Sequence, residues 1–398
     1  MTDPPAFRIA PPAFLAAPAV GLVLEALPEA RAVGGCVRDA IAGRPVADID
    51  LATPRRPEGV IRALEERGVK VVPTGLDHGT VTAVVDGRPI EITTLRRDVS
   101  TDGRRATVAF TEDWREDASR RDFTFNAMYL DPCGHVWDWF GGREDLARGA
   151  VRFIGEPAVR LAEDHLRGLR FFRFHARYGR GEPDPKAMAA IAAAVPNLSA
   201  LSAERVWSEL KRILSAPDPT EAVRLMQSTG VLPAVLPEAS DPDRLGRLVA
   251  LGAPPDPILR LAALAPAAEV SAVAERLRLS NAEAECLAAL LGPPPPPGTA
   301  TLRAALATLG AETLSGRAWL AEAARLPGDW PGLRAFAANT SRPVFPLRGA
   351  DVLALGIPPG PKVGALLAEV ERRWRAAGCP QDEAMIRQWL AEAAATAA

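Results

Sequence analysis

Two carboxylates two residues apart, Asp48 and Asp50, follow shortly after a Gly34-Gly35 pair that leads into Arg38 and Asp39. Together these residue types describe a site for a metal-bound polyphosphate. The glycines come after the short apolar run Ala32-Val33 and before a segment with helical character, so the chain can bring unpaired backbone amides close to an anion. Arg38, in the first turn of that helix, offers a planar fork to phosphate, and Asp39 can orient it or help to hold a metal. Asp48-Ile49-Asp50-Leu51 alternates polar and apolar, which predicts a half-buried strand over 48–51 with both carboxylates on one face. Oxygen ligands on a rigid edge suit Mg2+, which takes a few carboxylates plus substrate phosphates. Glu91, in a second strand-like run, can close the catalytic metal set from a neighbouring position.

The elements that must position these groups can be read coarsely. From 33 to about 130 helix and strand signals alternate, with a helix over 57–67 and strands over 69–73, 80–85 and 90–95, which predicts a small mixed sheet with its site at one edge. After Ile154 strand signals fade, and alanine, leucine and arginine recur at helical spacing, as over 201–214, 222–227, 267–277 and 364–376. The expected fold class is therefore an α+β head followed by an all-α remainder. Proline occupies every position from 293 to 297, which cannot be helix and reads as a stiff linker and a boundary.

The order and spacing of further blocks extend the reading. The GG-x-V-R-D and D-I-D-L-A-T elements resemble the head of the class II tRNA nucleotidyltransferases, the CCA-adding enzymes and their bacterial poly(A) polymerase relatives, in the polymerase-beta-like superfamily. Arg120-Arg121-Asp122-Phe123-Thr124-Phe125-Asn126-Ala127 is similar to the family's R-R-D-F-T-x-N-A block, and Asp138 to Leu146 to its D-x-x-G-G-x-x-D-L block. Glu163-Asp164-His165-Leu166-Arg167 matches its E-D-x-x-R block, and Ala203 to Leu210 resembles the block that closes the neck.

The resemblance implies addition of CCA to the 3′ end of tRNA from CTP and ATP, with Mg2+ held by Asp48, Asp50 and Glu91. It places Gly34, Gly35, Arg38 and Asp39 at the triphosphate, Asp122 at the ribose, Arg121 near phosphates or base, and Asn126 and Arg170 in the nucleotide pocket. It also implies a division into a nucleotidyltransferase head (1–148), a base-recognising neck (149–215), a helical body (216–292) and a tRNA-binding tail (298–398). Poly(A) or A-only addition uses the same site residues and stays open, as does a non-catalytic RNA-binding protein, although that would be expected to lose one of the paired aspartates.

Base recognition is expected from Asp164 and Arg167, which three residues apart on a helix share one face, with Glu163 one turn away to brace the guanidinium. A carboxylate beside a planar fork can accept from the exocyclic amine of cytosine or adenine and donate to the neighbouring ring nitrogen. The polar segment over 98–115 is expected to be the family's flexible loop. Its Gly103-Arg104-Arg105-Ala106-Thr107-Val108 departs from the G-[KR]-R-F-R-L-type pattern of poly(A) polymerases.

Composition sets outer limits. At 398 residues the chain should form two to four units, and a net charge of −2 means that any RNA surface must be a local patch. Arginines 152, 160, 167, 170, 173 and 177 form a candidate. The four cysteines are scattered without zinc spacing, as in a reduced cytoplasmic protein, and Cys36 within the phosphate turn could meet thiol reagents. Four histidines ending at His175 exclude a C-terminal His-Asp phosphohydrolase, and no G-x-x-x-x-G-K-[ST] loop is present. The apolar stretch near 14–27 is broken by Pro18 and lacks a basic flank, which suits a helix on the head rather than a membrane or secretory segment.

Overall fold

The computed structural model describes residues 3–101, 106–266, 269–296 and 298–396, and the chain forms two compact units, Met1–Val235 and Leu236–Ala398. In the first unit the strands are β1 (Phe7–Arg8), β2 (Arg31–Val33), β3 (Asp50–Thr53), β4 (Lys70–Gly75), β5 (Thr80–Val85), β6 (Arg88–Thr94), β7 (Arg96–Thr101), β8 (Ala106–Phe110), β9 (Tyr129–Leu130) and β10 (His135–Trp137). Eight of them form one sheet in the order β1-β10-β9-β2-β3-β6-β5-β4. Its central pair, β3 and β6, is parallel, with Asp50 opposite Glu91, and every other pairing is antiparallel.

The helices of this unit are α1 (Pro18–Ala26), α2 (Gly35–Ile41), α3 (Pro57–Glu65), α4 (Trp114–Ser119), α5 (Gly142–Arg148), α6 (Pro157–Glu163), α7 (Leu166–Tyr178), α8 (Pro185–Ala194), α9 (Ala203–Leu214), α10 (Thr220–Ser228) and α11 (Val231–Val235). The α+β head with helices after it is as expected, and among the described residues no strand follows β10. In α1, Val20, Val23 and Leu24 are buried, which makes it part of the head's core.

Three local expectations change. The strand expected over 48–51 begins only at Asp50, because its partner β2 ends at Val33, where Gly34 turns the chain away and leaves Asp48 without a ladder. The segment expected to be a loop over 98–115 contains the antiparallel ribbon β7–β8, pairing Arg96 with Phe110 and Thr101 with Ala106. Main-chain pairing does not need apolar side chains, so the polar composition concealed it. Residues 102–105, with the Gly103-Arg104-Arg105 signature, lie outside the described residues. The proline run lies inside the second unit, whose described elements are all helical. There Arg317 donates to the carbonyls of Ala289 and Pro293 at 2.6 and 2.8 Å, tying the helices Asn281–Leu291 and Thr299–Ala323 together across the run. The chain passes from the first compact unit to the second between Val235 and Leu236.

An aromatic cluster joins the sheet to α7. Phe123 and Phe125 alternate with Asp122, Thr124 and Asn126, and both rings are buried. Phe123 packs on Phe153 at 4.7 Å and on Phe174 at 5.2 Å, and Phe125 meets Phe174 at 5.4 Å. Burial of these rings holds Asp122 against Arg170 on α7 and turns Thr124 to Asp145 on α5.

Candidate active site

The site forms at one end of the central strands. Val33 ends β2, Asp50 starts β3 and Glu91 lies beside Asp50 on β6, so the turn at Gly34 stands next to the carboxylates. Gly34 has φ 74° and ψ −124°, a conformation strained for any residue with a Cβ, and a side chain there would point at Arg121 Nη1 3.5 Å away. The helix that follows, α2, is only seven residues long, so most of the positive field must come from side chains.

Those side chains form a chain of hydrogen bonds. Arg38 donates to Asp39 at 3.1 and 3.2 Å and to Asn126 Oδ1 at 2.7 Å, while Tyr178 Oη donates to Asp39. Asn126 donates to Asp122 Oδ1 at 3.0 Å, and Arg170 Nε donates to Asp122 Oδ2 at 2.7 Å. Burial alone would raise the Asp122 carboxyl, but the Arg170 guanidinium and the Asn126 amide hold it at about 2. With the Phe123 amide and a second Arg170 nitrogen also on it, Asp122 has filled its four acceptor positions. Glu209, buried on α9, lies 2.9 Å from Arg173 and 3.9 Å from Arg170 and Arg212.

Arg121 is fixed differently. Its Nε donates to Tyr129 Oη at 3.2 Å and its Nη2 to Asp117 at 3.2 Å. Asp117 also accepts from Arg120 at 2.8 Å and from the Arg96 amide at 3.0 Å. Against a burial penalty, Arg121 and Arg120 bring the Asp117 carboxyl down to about 2. An ionised aspartate under the sheet thus keeps Arg121 aimed at the Gly34 turn.

These residues enclose a cavity of about 500 Å3. Its lining includes Gly34, Gly35, Phe174, six arginines (Arg38, Arg121, Arg170, Arg173, Arg177, Arg212) and four aspartates (Asp39, Asp48, Asp50, Asp122). The excess of guanidinium over carboxylate favours a polyanion; Asp39 and Asp122 are paired with Arg38 and Arg170, which leaves Asp48 and Asp50 together at the sheet end. Asp48 reaches this cavity from the irregular segment before β3.

The carboxylates have the character of a cation site. Burial, then the neighbouring Glu91 and Asp48, push the Asp50 carboxyl up, while Arg121 opposes them. A hard divalent cation would relieve that repulsion, and an all-oxygen donor set suits Mg2+ better than a softer metal. Glu91 is exposed and outside the cavity lining, and among the described residues no three potential ligands are yet gathered tightly enough to hold an ion. Cys36 takes no part. It is buried, its thiol donates to the Val33 carbonyl at 3.3 Å, and burial pushes it up to about 11, so the expected access to thiol reagents is not supported.

The base-reading trio is the part least well anticipated. Asp164 and Arg167 do not share a helix, because α6 stops at Glu163 and Asp164 has extended geometry at φ −155° and ψ 109°. The Asp164 carboxylate accepts from the Leu166 amide at 3.1 Å and from Arg205 at 2.6 Å, a local side-chain bond that competes with helix continuation. Arg167 pairs with Glu163 as expected and also donates to the carbonyls of Arg160 and Arg120 at 3.2 Å. None of the three lines the cavity, whereas Arg170 does. Arg173 and Arg177, expected in an RNA patch, line the cavity, and the residues missed are Asp117 and Tyr129 beneath Arg121, Arg212 in the lining, and Arg205 and Glu209 behind them. The last two stand four residues apart in the block Ala203 to Leu210, so that block carried a signal for them.

Two family signatures match this chain, the Poly A polymerase head domain over residues 30–152 and the probable RNA and SrmB-binding site of polymerase A over 182–241. Mouse mitochondrial CCA tRNA nucleotidyltransferase 1 is 34% identical over 372 residues, covering 88% of this chain and 83% of that protein. The chain belongs to the CCA-adding nucleotidyltransferases of the poly(A) polymerase family. A CCA-adding enzyme from Geobacillus stearothermophilus is 38% identical over 221 residues, 55% of this chain and 53% of that one. The crystal structure of a Bacillus stearothermophilus CCA-adding enzyme in complex with CTP superposes with a TM-score of 0.75 at 29% identity, covering 96% of this chain and 98% of that one. The fold is also that of a Thermotoga maritima CCA-adding enzyme, with a TM-score of 0.62 at 21% identity.

Proposed function

We propose that this protein adds C, C and A to the 3′ end of tRNA, taking CTP and ATP as substrates. The observation that carries the reading is the cavity in which Asp48 and Asp50 at the sheet end face a wall of arginines beside the Gly34 turn. The terminal hydroxyl of tRNA attacks the α-phosphate in line, and pyrophosphate leaves. Gly34, Gly35, Arg38 and Arg121 hold the triphosphate, with Asp39 and Tyr178 orienting Arg38. Asp122, with Asn126 and Arg170, meets the ribose by exchanging one of its present hydrogen bonds for the 2′-hydroxyl, and so favours ribonucleotides. Asp48, Asp50 and Glu91 would hold Mg2+, which acidifies the attacking hydroxyl and stabilises the leaving group. Asp164 and Arg167 read cytosine and adenine, braced by Glu163; this requires re-aiming groups now held by Arg205 and by main-chain carbonyls.

The expected segments 1–148, 149–215, 216–292 and 298–398 supply the working division into catalytic head, base-reading neck, body and tRNA-binding tail. No helix among the described residues is long and apolar enough to cross a membrane, and we place the protein in the cytoplasm, although the mouse relative is mitochondrial. Purified protein should be incubated with Mg2+ and tRNA ending at the discriminator base. Growth by two nucleotides with CTP, none with ATP and three with both is the expected result. A long ladder with ATP alone would instead make it a poly(A) polymerase, the reading that the head-domain signature keeps in view. No extension under any condition would leave an RNA-binding protein.

A further inference from the structure

A second cavity of the first unit, about 530 Å3, lies at the other end of α2, between the segment after β1, α5 and the end of α7. Arg44, Arg143, Arg177 and Arg180 line it, and no carboxylate does. Among the described residues none of these four arginines makes an ion pair. Arg44 donates to the Arg177 carbonyl at 2.8 Å, which leaves its charge uncompensated, and Arg143 lies over the Phe7 ring at 4.3 Å. Of the nearby carboxylates, Asp39 is engaged with Arg38 and Tyr178 and Glu144 with Arg148, while Glu182, two residues from Arg180, is exposed and outside the lining. Four guanidiniums around one hollow repel one another unless an anion joins them.

The lining distinguishes this hollow from the active site, with which it shares Arg177. The absence of carboxylates from its lining removes the means of holding a metal-bound triphosphate. The Tyr178 ring is buried and carries Arg38 and Arg44 at 4.7 and 4.4 Å, so no aromatic face is offered to a base. Arg143, Arg177 and Arg180 are exposed, as suits an extended ligand. We propose that this cavity binds backbone phosphates of the tRNA, without reading sequence, and that Arg177 joins that track to the catalytic cavity. Phosphate contacts fix the position of an RNA, and base contacts supply its identity.

The inference rests on tRNA being the substrate, so the extension assay on the unmodified protein comes first. The test is Arg143→Glu with Arg180→Glu, read as tRNA affinity from 50 to 200 mM salt. Losing two phosphate contacts should lower the slope of log affinity against log salt by roughly 1.5 to 2 and weaken tRNA binding at least about tenfold at the low-salt end. The paired lysine variant should keep most of the slope, and CTP affinity without tRNA should stay within about twofold. An unchanged slope and affinity in a protein whose parent extends tRNA would overturn this inference alone. An equal loss of CTP affinity would make the cavity a nucleotide site and also overturn it. If the parent neither binds nor extends tRNA, both this inference and the proposed function fail.

Discussion

Asp117 has no place in the cavity lining, yet through it Arg121 is held there. Its carboxyl falls from an ordinary 3.8 to about 2 on folding, so its contribution is complete above pH 4 and is lost as pH falls from about 4 towards 2. The shift corresponds to about 2 kcal/mol. Urea unfolding should therefore show Asp117→Asn clearly less stable than the parent at pH 5, with the gap closing by pH 2; a gap independent of pH would refute the assignment. At the metal end, Asp48→Asn or Asp50→Asn should lower nucleotide addition on the order of a thousandfold or more while tRNA affinity in a filter-binding assay stays within a few-fold. Arg167→Ala should instead relax discrimination against UTP and GTP by about 1–3 kcal/mol in relative kcat/KM, with less effect on CTP turnover. Equal losses for all four nucleotides would mean that Arg167 supports the neck and does not read bases. The glycine, arginine and aspartate motifs were legible because each packs its chemistry into a few consecutive residues. Asp117 was not, because its spacing from Arg120 and Arg121 is that of any helical ion pair, and Tyr129 and the Arg173 contact of Glu209 were not, because folding brings those partners together.

At the level of elements, the aromatic wedge sets the distance between the sheet and α7. Phe171 on α7 belongs to it, stacked on Phe153 at 5.9 Å, and removing this buried ring by Phe171→Ala should cost about 3–5 kcal/mol by denaturant unfolding. It should also raise the KM for CTP, because Arg170, Arg173 and Arg177 share the helix with that ring. Loss of stability with KM unchanged would separate the wedge from the site. The strands over 80–85 and 90–95 were legible from alternation and β-branched residues, and they match β5 and β6 closely. The break between α6 and α7 was not, because Glu163 to Arg167 has an ordinary helical spacing. What stops the helix is Asp164 bonding to the Leu166 amide and to Arg205 on α9, and the second of these partners is 41 residues away.

For the whole molecule, every residue of the catalytic cavity belongs to the unit Met1–Val235. Calorimetry should resolve two transitions, and CTP with Mg2+ should raise only the one belonging to that unit, by about 2.7 kcal/mol at a ligand concentration a hundred times Kd. A single transition that carries the whole shift would show that the units unfold as one. A net charge of −2 conceals the two arginine-lined cavities of this unit, since charge summed over a chain says nothing about where it is placed.

The sequence by itself determined the chemistry: a tight glycine turn, paired aspartates and a family of blocks whose order pointed to nucleotidyl transfer onto RNA. Such motifs are readable because local backbone geometry and side-chain period depend on neighbours along the chain. The tertiary structure decided which arginines face the cavity, which carboxylates already have partners, that Asp164 stands outside a helix, and that a second arginine-lined hollow adjoins the first. Burial and ion pairing join residues far apart in sequence, and only the packed fold brings their charges within a few ångströms of one another.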